Sequence, residues 1–426
     1  MRRPPARVSS DSPFIHRTDT HNEHHRNRQH HPSQDEVAAP LPMTTQVYIT
    51  DLAAFLPNAP VGNADVERVL GMVNGKPSRA LRITLRNNGI QTRYYAIDPS
   101  TGRLTHTNAQ LTAEAIRALV ARAGMSPADI DLLCCGTSSP DQFKPAHANM
   151  VHGELHSPPC EAVSFAGVCA SGTAALKYSW LNVASGLTRM AVATGSEIAS
   201  TFMRATHFEP ESDARIAELE SHPELAFEKD FLRWMLSDGA GAALLRKTPN
   251  PDRPSLRIDW IDGLSFAGTM PACMYSGAEK RADGSLQGWR ELDSLEDAMR
   301  EGYFAVKQDV RLLNEHILSV AVRDALLPIA ARHQLRPTDI DWFVPHYSSE
   351  YFRPRLHETM QAHGFDIPLE RWFSNLPTRG NVGSAAIYLM LEELFYSERL
   401  KRGDRVLCLI PESARFTVYY MHLTVV

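Results

Sequence analysis

The sequence predicts an α/β protein built from two similar halves. Two observations carry that prediction. Segments with helical apolar spacing alternate with short apolar runs bounded by turn residues, the pattern of helices packed on buried strands. In addition, Ala121 to Ser139 has a gap-free partner 210 residues later, Ala331 to Ser349, and eight of the 19 positions are identical. Each copy reads as a helix end, a turn containing a proline (Pro127 or Pro337) and a buried strand. A repeated unit of this kind implies two halves related by pseudo-symmetry. In such sheets, chemistry gathers where the carboxyl ends of strands meet helix starts.

The chain has 426 residues, enough for two domains or one large duplicated one. Its net charge of -5 disfavours a nucleic-acid partner. No apolar run is long enough to span a membrane. The six cysteines (Cys134, Cys135, Cys160, Cys169, Cys273 and Cys408) show no CxxC spacing, and several sit in apolar runs. That pattern predicts a reduced, cytoplasmic setting rather than a disulfide framework.

Taken in order, residues 1–42 read as a disordered tail rich in His and Arg with almost no apolar clusters. The tail lacks the apolar core of a secretory signal, and its histidines have no fixed ligand spacing, so no metal site is expected. Met43, directly before the first ordered pattern, is an alternative start. Residues 43–250 form the expected N-terminal half. Val47 to Phe55 reads as a strand, Asn63 as the cap of a short helix ending at Leu70, and Leu111 to Gly124 as a helix. Ile130 to Cys135 reads as a buried strand and Pro145 to Leu155 as a helix. Ala162 to Phe165 is a short apolar run. The Ala-rich segment after Cys169 reads as a helix to about Ala184 with Gly186 as its stop. A strand follows at Met190 to Thr194.

Residues 204–230 are polar and interrupt the α/β rhythm, so they read as a helical insertion. Ser237 to Leu245 reads as a turn running into a small-residue strand. Its Gly-Ala-Gly is not followed by a helix or a lysine, which excludes a phosphate-binding loop. Residues 251–426 form the expected C-terminal half. Ser294 to Arg332 is helix-patterned, Trp342 to Val344 a strand, and helices are expected from Ser349 and from Asn381 to Arg399. Two strands, Arg405 to Ile410 and Phe416 to Val425, close the chain.

Three residues stand at element ends. Cys169 lies at a helix start, where the dipole lowers a thiol pKa and favours thiolate. Gly167, Ala170, Ser171 and Gly172 around it are small enough for close approach. A free cysteine is more often a buried structural residue, but the other two residues shift that balance. His346 ends the second repeat strand at the position of Gly136 in the first, and Asn381 precedes a helix in Gly380-Asn-Val-Gly-Ser-Ala-Ala386.

On these residues the chain, from about Met43 onward, resembles the ketoacyl synthase III branch of the thiolase-like condensing enzymes. The matching motifs are Gly167-Val-Cys-Ala-Ser-Gly172, Val344-Pro-His346, Gly380 to Ala386, Asp238 to Ala243 and Gly89-Ile-Gln-Thr-Arg93. The closing Pro411-Glu-Ser-Ala-Arg-Phe416 departs from the Gly-rich loop of the fatty-acid enzymes. It is similar to DarB-type synthases of dialkylresorcinol and related aromatic polyketides.

The resemblance implies a thiolase-like fold with α-β-α-β-α layers. It also implies a 3-oxoacyl-[acyl-carrier-protein] synthase III-type acyltransferase. Cys169 would be the nucleophile, and His346 and Asn381 would stabilise an enolate. The backbone N–H groups of Cys169 and Ala414 would form the oxyanion hole. Acyl-carrier-protein or coenzyme A thioesters would be the substrates, with no other cofactor, and a homodimer is expected. The family's coenzyme-stacking tryptophan is absent from Arg82 to Gly89, which favours a carrier-protein donor. Arg353 and Arg355 stand where the family's docking helix lies. Condensation followed by ring closure to a cyclohexanedione would complete the DarB-type reading. Some relatives instead move the acyl group to an alcohol or amine, and the same three residues serve that chemistry.

Overall fold

The computed structural model describes residues 45–78, 80–208 and 232–426. The tail read at 1–42, and residues 209–230 of the insertion, lie outside the described residues. The N-terminal half runs β1 (Tyr48–Phe55), α1 (Asn108–Arg122), β2 (Leu132–Thr137), α2 (His147–Leu155), β3 (Glu161–Ala166), α3 (Ala170–Ser185), β4 (Met190–Glu197) and β5 (Gly239–Arg246). The C-terminal half runs β6 (Leu256–Ser265), α4 (Val310–Ser319), a π-helical turn (Val320–Leu326), α5 (Leu327–His333), β7 (Trp342–Pro345), α6 (Phe352–Ala362), α7 (Ala386–Phe395), β8 (Arg405–Glu412) and β9 (Thr417–Val425).

Among the described residues nine strands follow the order β7-β8-β9-β6-β1-β5-β4-β2-β3. The two half-sheets meet through only two residue pairs, Tyr48 with Arg257 and Ile49 with Leu256. Their orders correspond strand for strand. The position matching β3 is filled by Trp372 and Phe373, which bridge in parallel to Phe343. The repeat is therefore structural. The capped turns Pro127–Asp129 and Pro337–Asp339 lead into β2 and β7 with the same offset.

Strand alternation creates the layers. Leu133 and Cys135 of β2 pack outward with Leu111, Ile116 and Leu119 of α1. Leu132 and Cys134 pack inward, joining Leu176 and Trp180 of α3 and Ile387 and Leu391 of α7. Val406, Cys408 and Ile410 of β8 close that inner layer from the other side. Leu407 and Leu409 face outward against Leu356 and Met360 of α6. This is the α-β-α-β-α arrangement of the thiolase-like fold.

A row of glycines lets the inner helices sit close. Gly136 pairs with Gly195, and Gly195 with Gly241, across β2, β4 and β5. A Cβ on Gly136 would lie 2.4 Å from the Ser171 carbonyl, and one on Gly241 2.3 Å from Tyr388 Cβ. The small-residue strand after Asp238 thus serves packing.

Two local expectations are corrected. Asn63 does not cap the helix Val66–Leu70; Asp65 stands at that position, and Asn63 Oδ1 accepts from Arg93 Nη1 at 2.6 Å. The helical reading of Ser294 to Arg332 is broken by a short strand, Lys307–Gln308, between a helix at Leu295–Arg300 and α4. Asp309 begins the second piece, its side chain accepting the Leu312 N–H at 2.9 Å. No described helix is long and apolar enough to cross a membrane.

Candidate active site

Cys169 stands immediately before the first helical residue of α3, after a turn in which Gly167 has φ 150°. Val168 O accepts both the Ser171 N–H and its hydroxyl, which fixes the first turn. Gly136 at the end of β2 must lack a side chain, because α3 passes over it. At the pseudo-symmetric position there is room for a side chain, and His346 occupies it. Its N–H donates to Leu409 O at 2.8 Å.

Asn381 is pinned by its backbone to the other half. Its N–H donates to Met235 O at 3.0 Å, and its carbonyl accepts the Ser237 N–H at 2.9 Å. Its Oδ1 accepts the Gly383 N–H at 3.0 Å. A backbone N–H partner requires the oxygen there, so among the described residues the Nδ2 donor is the atom left without a partner.

The structure brings Cys169, His346 and Asn381 together on one cavity of about 860 Å³. Most of the remaining wall is apolar, including Met235, Leu313, Ile317, Ala321, Phe352 and Leu356. The mouth carries Leu104, Trp289 and Phe304, with Phe143 78% exposed and stacked on Trp289 at 6.1 Å.

Burial sets the electrostatics. The Cys169 thiol is pushed well up by desolvation, then by the charges of Glu412 and Glu197, against a smaller downward pull from its own N–H. Dehydration and two carboxylates thus act against the thiolate stabilisation expected at the helix start. Burial lowers His346 to about 4, so its imidazole is neutral near pH 7.

Glu197, which the sequence reading did not single out, also lines the cavity. Its Oε2 accepts the hydroxyls of Ser138 and Ser139, each at 2.6 Å. Its Oε1 accepts the N–H groups of Ser138 and Ser384, each at 3.2 Å. It thus ties the end of β2 to the Asn381 loop, and a Cβ on Gly383 would meet its Cγ at 2.9 Å. Asp238, buried and outside the cavity lining, likewise ties separate segments together. It accepts the Ala96 and Ser200 N–H groups, and burial raises it to about 6. Arg93 of the Gly89–Arg93 motif is buried, with Nε donating to Trp234 O at 2.9 Å.

Ala414 does not take the expected place. Its N–H already donates to Glu412 Oε1 at 3.0 Å, and Pro411 and Ser413 are the loop residues on the cavity wall, of which Ser413 alone has an N–H. Arg353 and Arg355 lie on α6. Arg355 is exposed and packs over the Tyr351 ring at 4.0 Å. All six cysteines are free.

Comparison with known proteins gives a consistent picture. Residues 330–409 match the model of the 3-oxoacyl-[acyl-carrier-protein] synthase III C-terminal domain. Residues 91–228 match that of the thiolase N-terminal domain. A beta-ketoacyl-[acyl-carrier-protein] synthase III of Rhizorhabdus wittichii is 27% identical over 82% of this chain and 90% of its own length. The beta-ketoacyl-[acyl-carrier-protein] synthase III 3 of Streptomyces coelicolor is 27% identical, covering 86% and 93%. Among solved structures, AbyA1, a tetronic acid condensing enzyme, superposes with a TM-score of 0.66 at 21% identity, covering 89% of this chain and 100% of its own. OleA of Xanthomonas campestris gives 0.65 at 18% identity, covering 89% and 98%.

Proposed function

We propose that this chain, which belongs with the ketoacyl-synthase-III-like enzymes of the thiolase superfamily and is of the acyltransferase class, joins two acyl units by Claisen condensation. An acyl group held on Cys169 would be attacked by the enolate of a malonyl- or 3-oxoacyl-thioester. The observation that carries this reading is the convergence of Cys169, His346 and the free Nδ2 of Asn381 on one largely apolar cavity.

Cys169 Sγ attacks the thioester carbonyl, the donor thiol departs with the cysteine proton, and the acyl group stays on the enzyme. The Cys169 N–H is one donor to the tetrahedral oxyanion. The second thioester then places its carbonyl oxygen against Nε2–H of His346 and Nδ2–H of Asn381. Loss of carbon dioxide, or of a proton from a 3-oxoacyl unit, leaves an enolate held by those two donors. Its carbon attacks the acyl-cysteine, and the Cys169 thiolate leaves and is reprotonated. An amide suits this role because it donates without titrating. A neutral imidazole suits it because no buried charge has to be carried.

Two finer assignments go with this reading. The loop Pro411 to Phe416 supports a DarB-type outcome, in which the product closes to a cyclohexanedione precursor of a resorcinol. Arg353 and Arg355 on α6 support an acidic acyl carrier protein as donor. That helix also presents Phe352 and Leu356 to the cavity, so a carrier docked there could feed its acyl chain directly inward.

The test is intact-protein mass after incubation with a panel of acyl-carrier thioesters, followed by a chase with malonyl- or 3-oxoacyl-carrier protein. An adduct discharged into a carbon–carbon-linked product supports condensation. An adduct discharged only by an alcohol or amine replaces it with simple acyl transfer.

Two further results are expected. Discharge of a preformed acyl-enzyme should be flat from about pH 8 to about pH 5, because His346 stays neutral until about pH 4. An inflection near pH 6.5 in single-turnover rates would contradict this. Ala321 lies on the π-helical turn and lines the cavity. Ala321→Phe should shift the preferred donor to acyl chains shorter by several carbons, with short donors slowed less than about threefold. The same mass panel reads that shift.

A further inference from the structure

Glu412 ends β8 and is buried, yet the condensation chemistry above gives it no role. No basic side chain pairs with it among the described residues. Its carboxylate is used by its own loop: Oε1 accepts the Ala414 N–H at 3.0 Å, and Oε2 accepts those of Arg415 and Thr417, each at 3.3 Å. The loop is held from the far side as well, because Ala414 O accepts the Cys273 N–H at 2.7 Å and the Met274 N–H at 3.2 Å. The loop closes on Phe416, fully buried and at φ 59°, a left-handed conformation that costs a non-glycine residue free energy. Three hydrogen bonds to a charged acceptor offset such a cost.

The lock leaves one N–H over. Ser413 lies between the carboxylate-bearing residue and the first residue it binds, and it lines the cavity with Cys169 and His346. Its N–H has no acceptor among the described residues. We propose that Glu412 is a positioning residue, whose carboxylate folds the 413–416 loop so that the Ser413 backbone N–H, in place of that of Ala414, is the second donor to the thioester oxyanion on Cys169. This inference rests on the reading of Cys169 as the acylated nucleophile.

The arrangement has an electrostatic cost. Glu412 is the larger of the two charges acting on the Cys169 thiol, and Glu197 is the other. Removing the Glu412 charge therefore eases thiolate formation while loosening the donor loop. A glutamine keeps the shape, but it offers one acceptor oxygen, and its NH₂ meets N–H donors.

The two effects run in opposite directions, and that separates positioning from general structural damage. In Glu412→Gln, single-turnover acylation from an acyl-carrier thioester is expected to fall about tenfold or more, with KM changed less than about threefold. Alkylation of Cys169 by iodoacetamide at pH 8, which needs no oxyanion donor, is expected to become faster. The carbonyl stretch of a ¹³C-labelled acyl-Cys169 should move to higher frequency as a hydrogen bond is lost. Ser413→Pro, which removes the N–H itself, should slow acylation at least as much. Combined with Glu412→Gln it should add little.

Acylation at the wild-type rate in folded Glu412→Gln, or an unchanged carbonyl frequency, overturns the inference. So does a parallel fall of acylation and alkylation. If Glu412→Gln does not fold, Glu412→Asp, which keeps the charge but withdraws it by one methylene, is held to the same acylation and frequency criteria. Absence of any adduct on the wild-type enzyme would instead sink the reading of Cys169, whatever the variants do.

Discussion

Cys169→Ala is expected to form no acyl adduct with any thioester donor, and its condensation turnover is expected to fall on the order of 10⁴-fold or more. The size follows from the site. Glu197 and Glu412 already accept several donors apiece, and Asn381 and the Ser138–Ser139 hydroxyls are not nucleophiles at neutral pH. Among the described residues no second thiol lines the cavity wall. Cys169→Ser is expected to be nearly as inactive, because an alcohol under the same burial and the same two negative charges is far harder to deprotonate than a thiol.

The variants of the other two residues should split the reaction. His346→Ala and Asn381→Ala should still take up the acyl group and lose its discharge if, as proposed, both hold the second substrate's enolate. Intact-protein mass separates these cases in one experiment. A full acyl adduct on Cys169→Ala would remove Cys169 from its role. Loss of the adduct in Asn381→Ala would move Asn381 from the second half-reaction to the first.

The same burial governs the resting enzyme. Since dehydration and the two carboxylates hold the Cys169 thiol up, its alkylation by iodoacetamide should rise steadily through pH 9 rather than level off near neutrality. A plateau at pH 7 would mean the helix terminus wins after all.

The three element-end residues were legible because their positions follow from local rules. A helix start, a strand end fixed by an internal repeat, and a Gly-flanked turn each leave a mark within a few residues. What was not legible depends on residues distant in sequence. Glu197 matters because Ser138, Ser139 and Ser384 converge on it from both halves. Nothing in Thr194-Gly-Ser-Glu197 announces that, beyond an acid at the end of a buried strand. The choice between Ser413 and Ala414 turns on which N–H a carboxylate captures, which alignment with a glycine loop cannot decide.

The upward push on the Cys169 thiol is hidden from the sequence for a related reason. A helix start is visible in sequence, but the dryness around it is not. β6 and the small hairpin Ala278–Lys280 with Leu286–Gly288 escape a reading by pattern, since Arg257, Asp259 and Asp262 blur the alternation in β6 and each hairpin strand is three residues long. The helical reading across 294–332 failed where Gly302 and the Lys307–Gln308 strand interrupt a pattern that looks continuous by apolar spacing alone.

Gly195→Ala is expected to be the most damaging single-methyl change outside the candidate active-site residues. A Cβ there would lie 2.2 Å from the Ser384 carbonyl oxygen and 2.7 Å from its carbon, with Ala385 Cα at 3.1 Å. These are backbone atoms, which no rotamer change can move aside. The same carbonyl oxygen is also closed in by Gly172 of α3, whose Cβ would meet it at 2.3 Å. Ser384 is held further by its own hydroxyl donating to Ser196 O at 2.9 Å and by its N–H on Glu197. The segment therefore has nowhere to relax.

Overpacking of this kind costs about 3 kcal/mol or more, which corresponds to a fall of roughly 5 °C or more in Tm. The chemistry should suffer unevenly. Asn381 is three residues from Ser384 in the same loop, while Cys169 is fixed separately by its own turn on Val168. In whatever fraction folds, discharge of the acyl-enzyme should therefore fall further than its formation. Urea unfolding and the two-step mass assay measure both effects. A Tm within about 2 °C of wild type would show that the two inner helices do not interlock through this glycine. Equal losses in both half-reactions would show that the disturbance does not act through Asn381.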